Sequence, residues 1–400
     1  MKRFRSPFEI LKQRTAAPSA QPRLDIGGIT NTINDALAAA GITSKSGVAN
    51  GVMDTIQRAL ASAGLASGHS PRRPPAPPIE GVAREVPAVD ESAPGEASPA
   101  PAVQEPAGAG EFVTRSYDSA IGSRSYKLYV PSSYAQGSDE RIPLVVMLHG
   151  CTQDPDDFAA GTQMNALAEL HGFVVAYPAQ TANANGSRCW NWFRAQDQAR
   201  DAGEPALIAG ITREVAATHR IDERRIFVAG LSAGAAMAVV LGATYPDLYA
   251  AIGVHSGLPY ASAHDVPSAF AAMHGGARGI PRPSESAPTV PAIIFHGDRD
   301  ATVKSSNADA IAAQVRAGCS PDIDLCATVH TGITAEGQSF TRQVLADGTN
   351  PATVEQWILH GAGHAWSGGD ASGSFTDPRG PDASAEMIRF FYSQRRAGSA

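Results

Sequence analysis

From Glu111 onward, short apolar runs bounded by turn residues recur along the chain: Leu144–Leu148, Phe173–Ala176, Ile226–Ala229, Ala251–Val254, Ile293–Phe295 and Trp357–Leu359. Runs this short and this uniformly apolar predict strands buried on both faces, the habit of parallel sheets. Ahead of them, Phe112-Val113 and Tyr126–Val130 read as two further strands, with Ile121-Gly122 in the turn between. Helical periodicity alternates with the runs. Ala206–His219 aligns Leu207, Ile208, Ile211 and Val215; Ala235–Leu241 is small and apolar throughout; Ala308–Ala317 carries Ile311 and Val315; Ala385–Tyr392 carries Met387, Ile388, Phe390 and Phe391. This alternation predicts an α/β domain with a mostly parallel central sheet flanked by helices. The segment Gly257–Val290, rich in Pro, Ala and His, has a weaker pattern and reads as a long crossover rather than a partial lid.

Before Glu111 the pattern is different. Val48, Val52, Ile56 and Leu60 recur every fourth residue, predicting one short amphipathic helix within 47–64. Residues 70–110 follow with dense Pro, Ala, Glu and Gly, a composition that buries too little apolar area to offset ordering entropy. All 4 Trp, 9 Tyr and 4 Cys lie beyond Gly110, so only the later part holds an aromatic core. The expected division is therefore an Ala/Pro/Gly-rich N-terminal extension, 1–110, mostly disordered, and a catalytic domain, 111–396. A formal charge of −7 argues against a general nucleic-acid partner, and no 18-residue apolar run suggests a membrane span. Lys2, Arg3 and Arg5 look like the start of a signal peptide, but Phe8–Lys12 is too short and too charged to be its apolar region.

The candidate chemistry centres on Gly230-Leu231-Ser232-Ala233-Gly234, the one Gly-x-Ser-x-Gly in the chain. A predicted strand leads into it and a small-residue helix leads out, the setting of a nucleophile elbow. An ordinary strand-to-helix loop with a capping Ser is the simpler alternative. An activated Ser needs a base, and the base an orienting acid; in the α/β-hydrolase fold the acid and then the His follow the Ser in sequence. Asp298 and Asp300 both follow the run Ile293–Phe295, and Asp300, further round the loop, has more freedom to reach a His. His364 lies in the Gly-rich loop after Trp357–Leu359, whereas His360 at that strand's end reads as a packed or satisfied residue. His219 ends a helix, and His171 and His330 read as surface residues. An oxyanion hole needs two backbone donors. The N–H groups of Ala233, after the nucleophile, and Cys151, in the loop after Leu144–Leu148, are the candidates. Cys319 and Cys326 flank a loop that a disulfide would close, contributing about 2–3 kcal/mol; separate buried thiols are the alternative.

Together Leu148-His149-Gly150-Cys151-Thr152-Gln153, Cys189-Trp190-Asn191-Trp192-Phe193, the Ser232 motif, His296-Gly297-Asp298-Arg299-Asp300 and Gly363-His364-Ala365-Trp366-Ser367-Gly368-Gly369 resemble one family over about 111–395. That family is the type 1 catalytic domain of extracellular short-chain poly(3-hydroxyalkanoate) depolymerases, with feruloyl and acetylxylan esterase relatives. The resemblance implies an α/β-hydrolase fold, Asp300 as the acid, His364 as the base and a Cys151–Cys189 disulfide fixing the oxyanion loop. It also implies Trp190, Trp192 and Trp366 as walls of an acyl or polymer cleft, with core aromatics as the alternative, above all for Trp192.

The expected activity is that of a serine esterase passing through an acyl-enzyme, with no metal and no cofactor. Its expected partner is an ester, foremost a polyhydroxyalkanoate polymer or 3-hydroxybutyrate oligomer, with no obligate protein partner. Depolymerases of this family usually add a signal peptide and a C-terminal polymer-binding module. Neither is readable here, which makes a soluble oligomer, a feruloyl or acetyl ester, or a small-molecule ester a competing substrate. A catalytically silent hydrolase fold used for binding is the rival of a different class. Family and cysteines suggest an extracellular or periplasmic location, with a cytoplasmic one still open.

Overall fold

The computed structural model describes residues 110–135, 139–275, 290–319, 325–347 and 351–396. The amphipathic helix expected at 47–64 and the Pro-rich stretch after it lie outside the described residues.

Every apolar run becomes a strand. β1 (Glu111–Ser119) and β2 (Gly122–Val130) form an antiparallel hairpin. Then come β3 (Ile142–Leu148), β4 (Val174–Pro178), β5 (Ile221–Leu231), β6 (Ala251–His255), β7 (Ala292–Gly297) and β10 (Val354–Leu359). The sheet order is β1-β2-β4-β3-β5-β6-β7-β10-β9-β8, where β8 (Cys326–Ile333) and β9 (Ser339–Ala346) complete the second edge. The pairs from β4 through β10 are parallel, while both edges are antiparallel. The apolar pattern does not predict the hairpin β8–β9. Its residues are exposed in β8 and half-buried in β9, so they carry no apolar run, and pairing with β10 makes them a sheet.

Alternation along β3 shows how the apolar runs bury both faces. Leu144, Val146 and Leu148 enter one core cluster, and Val145 and Met147 enter the other. Helices cover each face: α1 (Pro155–Thr162), α2 (Met164–His171), α3 (Gly203–Thr218), α4 (Ala233–Thr244), α5 (Val266–Gly275), α6 (Ser306–Ala317) and α7 (Ala383–Ser393). α1 and α2 carried no clear sequence pattern because each is only eight residues, separated by Gln163 in a left-handed turn. α4 is apolar all round and buried along nearly its whole length, as a helix wedged between sheet and helices must be. α7 begins at Asp382, whose carboxylate accepts from Ala385 N–H, and buries the expected Met387, Ile388, Phe390 and Phe391. The connection from β6 to β7 carries α5, which buries Ala269 and Ala272; residues 276–289 of this crossover lie outside the described residues. No described helix is long and apolar enough to cross a membrane.

Candidate active site

Because β3, β5, β6, β7 and β10 run parallel, the loops at their carboxyl ends gather on one edge of the sheet. Those loops hold His149–Gln153, Ser232, His255-Ser256, Asp298–Asp300 and His360–His364, so the sheet assembles residues scattered over more than 200 positions.

Ser232 sits between β5 and α4 at φ 57° and ψ −118°, outside the conformations an L-residue ordinarily adopts. The neighbouring glycines make this turn possible. A Cβ at Gly230 would stand 2.5 Å from the Gly234 carbonyl carbon, and one at Gly234 would strike the Leu148 carbonyl oxygen. The Ser232 N–H donates to His255 O at 2.9 Å, and its carbonyl accepts from Ala236 N at 2.9 Å, fixing the turn from both sides.

Asp300 is the acid brought to His364. Its Oδ2 accepts from His364 Nδ1 at 2.6 Å, and its Oδ1 accepts from the N–H groups of Thr302 and Val303, both at 2.8 Å. Its side chain is fully buried. Burial alone would raise its pKa, but hydrogen bonds from His296 and His364, the His364 charge and the Val303 N–H together hold it well below the usual range. Asp298 is bonded elsewhere. Its Oδ2 meets His360 Nδ1 at 3.0 Å and its Oδ1 accepts from Gly361 N at 2.7 Å. His360 also meets Thr341 Oγ1 at 2.8 Å, so it is a satisfied but exposed residue. His219 caps α3, and His171 and His330 are exposed, as read from the sequence.

Two further histidines stand behind this pair, and sequence reasoning passed over both. His296, at the end of β7, is buried; its Nε2 bonds Val303 O at 2.9 Å and lies 3.5 Å from Asp300 Oδ2. His255, at the end of β6, accepts from Ser367 N at Nε2 (3.0 Å) and so keeps its proton on Nδ1, which faces Ser256 Oγ at 3.2 Å. It stacks between Phe295 and Trp366. Burial, then the neighbouring His296 and His364, push its pKa down to about 3. Through its carbonyl and its ring, His255 joins the Ser232 turn to the loop of His364. A polar residue closing a fully apolar strand run was the available signal for both.

The loop His149–Gln153, the candidate oxyanion loop, is pinned along its length. Gln180 N donates to His149 Nε2 at 3.0 Å, which leaves the His149 proton on Nδ1, where it donates to Gly150 O at 2.8 Å. Burial lowers the pKa of His149, keeping the ring neutral. Gly150 N donates to Gln153 Oε1 at 2.9 Å, and Thr152 N to Ser187 O at 2.7 Å. Beneath lies a buried network in which Glu204 accepts from Gln180 Nε2 and from the backbone and side chain of Asn191. Cys151 and Cys189 are joined by a disulfide.

Two expectations are corrected. Cys319 and Cys326 are free thiols. Cys319 Sγ turns back along α6 to Val315 O at 3.4 Å, while Cys326 is taken up in the β8–β9 ladder opposite Ala346. Trp190, Trp192 and Trp366 do not wall an open cleft, since they are 0, 6 and 1% exposed. Trp190 Nε1 donates to His149 O at 3.1 Å and Trp366 Nε1 to Ser384 Oγ at 3.1 Å; Trp192 packs edge-on to Phe193. Trp190 and Trp366 satisfy their indole N–H groups inside the protein, as core indoles do, and support the loops from behind. Among the described residues no cluster of three or more His, Cys, Asp or Glu is placed to hold a metal ion.

The fold and the strained Ser at the end of β5 define an α/β-hydrolase. Within that class the chain belongs to the esterase PHB depolymerase family, whose model matches residues 124–338. It is 34% identical over 248 residues to poly(3-hydroxyalkanoate) depolymerase C of Paucimonas lemoignei, covering 59% of this chain and 57% of that protein. It is 32% identical over 163 residues to poly(3-hydroxybutyrate) depolymerase of Ralstonia pickettii, covering 38% of this chain and 33% of that one. A probable acetylxylan esterase A of Aspergillus flavus is 30% identical over 220 residues, 50% of this chain and 68% of the relative. The matches thus span only part of the depolymerases' length. In fold, the chain is similar to the acetyl xylan esterase from Aspergillus awamori (TM-score 0.54, 19% identity, 70% of this chain and 99% of that one).

Proposed function

We propose that the chain hydrolyses carboxylic esters through an acyl-enzyme on Ser232. The observation that carries this reading is the 2.6 Å bond from His364 Nδ1 to the ionised Asp300. With its proton committed there, a neutral His364 keeps the Nε2 lone pair for a base. Ser232 Oγ attacks the ester carbonyl and His364 Nε2 takes its proton. The N–H groups of Ala233 and Cys151 hold the oxyanion, and the alcohol leaves with the proton from His364. Water, deprotonated by the same nitrogen, then releases the acid and frees Ser232.

The proposed substrate is a poly(3-hydroxyalkanoate) or 3-hydroxybutyrate oligomer, supported by the 34% identity to a depolymerase of that name. An acetyl ester on polysaccharide is the second reading, supported by the fuller coverage of the acetylxylan esterase relative, 68% of its length. Chromatography of products from 3-hydroxybutyrate trimer, amorphous polymer and acetylated xylan separates them. Release of 3-hydroxybutyrate is expected; acetate release alone would move the assignment to the second reading. Ser232→Ala is expected to lower p-nitrophenyl butyrate hydrolysis by several orders of magnitude, and retained activity would remove the nucleophile assignment. The Cys151–Cys189 disulfide supports residence in an oxidising compartment, outside the cytoplasm.

A further inference from the structure

With the three tryptophans buried, Phe375 is an exposed aromatic on a loop bonded to both sides of the site. Phe375 is 47% exposed and has φ 53°. The left-handed region is strained for a residue with a Cβ, and Gly or Asn would occupy it at less cost. The surrounding loop is anchored at almost every position. Asp370 N donates to Gly161 O, Ser374 N and Oγ both donate to Asp157, and Gly373 packs backbone against backbone on Gly161. The ring is therefore held out by a rigid frame, not left out by a loose one.

Both sides of that frame are site elements. Ser374 accepts from Gln153 Nε2, through its carbonyl at 3.1 Å and its hydroxyl at 3.3 Å, and the same Gln153 accepts from Gly150 N in the oxyanion loop. The Phe375 carbonyl accepts from Trp366 N at 2.6 Å, two residues from His364. One strained residue thus stands between the loop proposed to bind the oxyanion and the loop of the proposed base. Its backbone positions both, and its ring has no such structural duty.

We propose that the Phe375 ring is the apolar contact for the acyl chain of the bound ester and sets the preference for longer or polymeric acyl groups. This rests on the esterase reading above and supplies the substrate contact that the tryptophans do not. A 3-hydroxyalkanoate chain, with a methyl or longer branch on each unit, offers the ring apolar surface that a lone acetyl group lacks.

The test compares Phe375→Gly and Phe375→Tyr with the parent chain on p-nitrophenyl acetate and octanoate and on 3-hydroxybutyrate trimer, alongside thermal melts. Glycine relieves the backbone, so Phe375→Gly is expected to melt at the same or a higher temperature. Its octanoate-to-acetate and trimer-to-acetate ratios in kcat/KM should fall about tenfold, mainly through KM for the longer esters. Phe375→Tyr should retain the parent's octanoate-to-acetate ratio. Equal losses on acetate and octanoate, or an unchanged ratio in Phe375→Gly, would overturn the proposal. If the parent leaves the trimer intact while Phe375→Gly still loses octanoate selectively, the polyester reading fails and the role of Phe375 stands.

Discussion

At the scale of single residues, the site is a set of proton positions fixed by backbone neighbours. Asp300 accepts two backbone N–H groups on one oxygen and His364 on the other, so it stays ionised and holds its partner's tautomer. Asp300→Asn is expected to lower kcat about 10⁴-fold with the fold intact, as an amide presents the wrong group to Nδ1; steady-state kinetics with circular dichroism checks both halves. His149 would have a comparable duty toward the proposed oxyanion hole. Gly150 C=O and Cys151 N–H belong to one planar peptide unit, so the His149 proton that holds the carbonyl also aims the amide. His149→Asn should therefore cut kcat tenfold or more while KM changes little, and weaken a boronic-acid transition-state analogue by a similar factor. His255 brings a pH dependence. Its pKa of about 3 in the folded chain lies below the unfolded value near 6.5. The unfolded state therefore binds the extra proton between these values, and stability is complete above about pH 6.5 and falls as pH drops toward 3. Melting curves across that range should show the slope, and His255→Gln should flatten it. Most of this was hidden in the sequence. Ser232 and His364 are legible from motif and order, and Asp300 from the family resemblance, whereas His255 and His296 gain a role only where the strands stand side by side.

At the scale of elements, the elbow depends on how closely β3, β5 and α4 approach. Gly234 lies against the Leu148 carbonyl, a backbone atom that cannot step aside. Gly234→Ala is expected to lower soluble yield or melting temperature sharply, well beyond the loss of activity, by pushing α4 off β3. The proposed oxyanion loop is tied in a different way. The disulfide joins residues 38 apart in sequence, a closure worth about 4 kcal/mol in the loop-entropy model. Reduction should lower the melting temperature by about 7 °C. Apolar runs made the central strands readable, because a strand buried on both faces has no polar position to confuse the pattern. The β8–β9 hairpin lacked that signal: Thr328, His330 and Gly332 lie on one side of an exposed strand, and only the ladder to β10 defines it.

At the scale of the whole molecule, a parallel sheet separates two cores and leaves its carboxyl edge to the chemistry. The thiol inventory tests this arrangement. Under non-reducing denaturation two cysteines should react with iodoacetamide, and in the native chain Cys326 should react before the half-buried Cys319. Four reactive thiols would remove the Cys151–Cys189 bond, and none would restore the pairing of Cys319 with Cys326. The sequence by itself determined the α/β class, the order Ser, Asp, His and the family, because those reside in local apolar pattern, local turn chemistry and chain order. Only the tertiary structure decided that His255 and His296 stand behind the Asp300–His364 pair, that the tryptophans are core, and that Phe375 is exposed on a loop bonded to both neighbouring loops. Those outcomes depend on which strand ends become neighbours and which side chains the loops then cover, and neither is encoded within any one stretch of the chain.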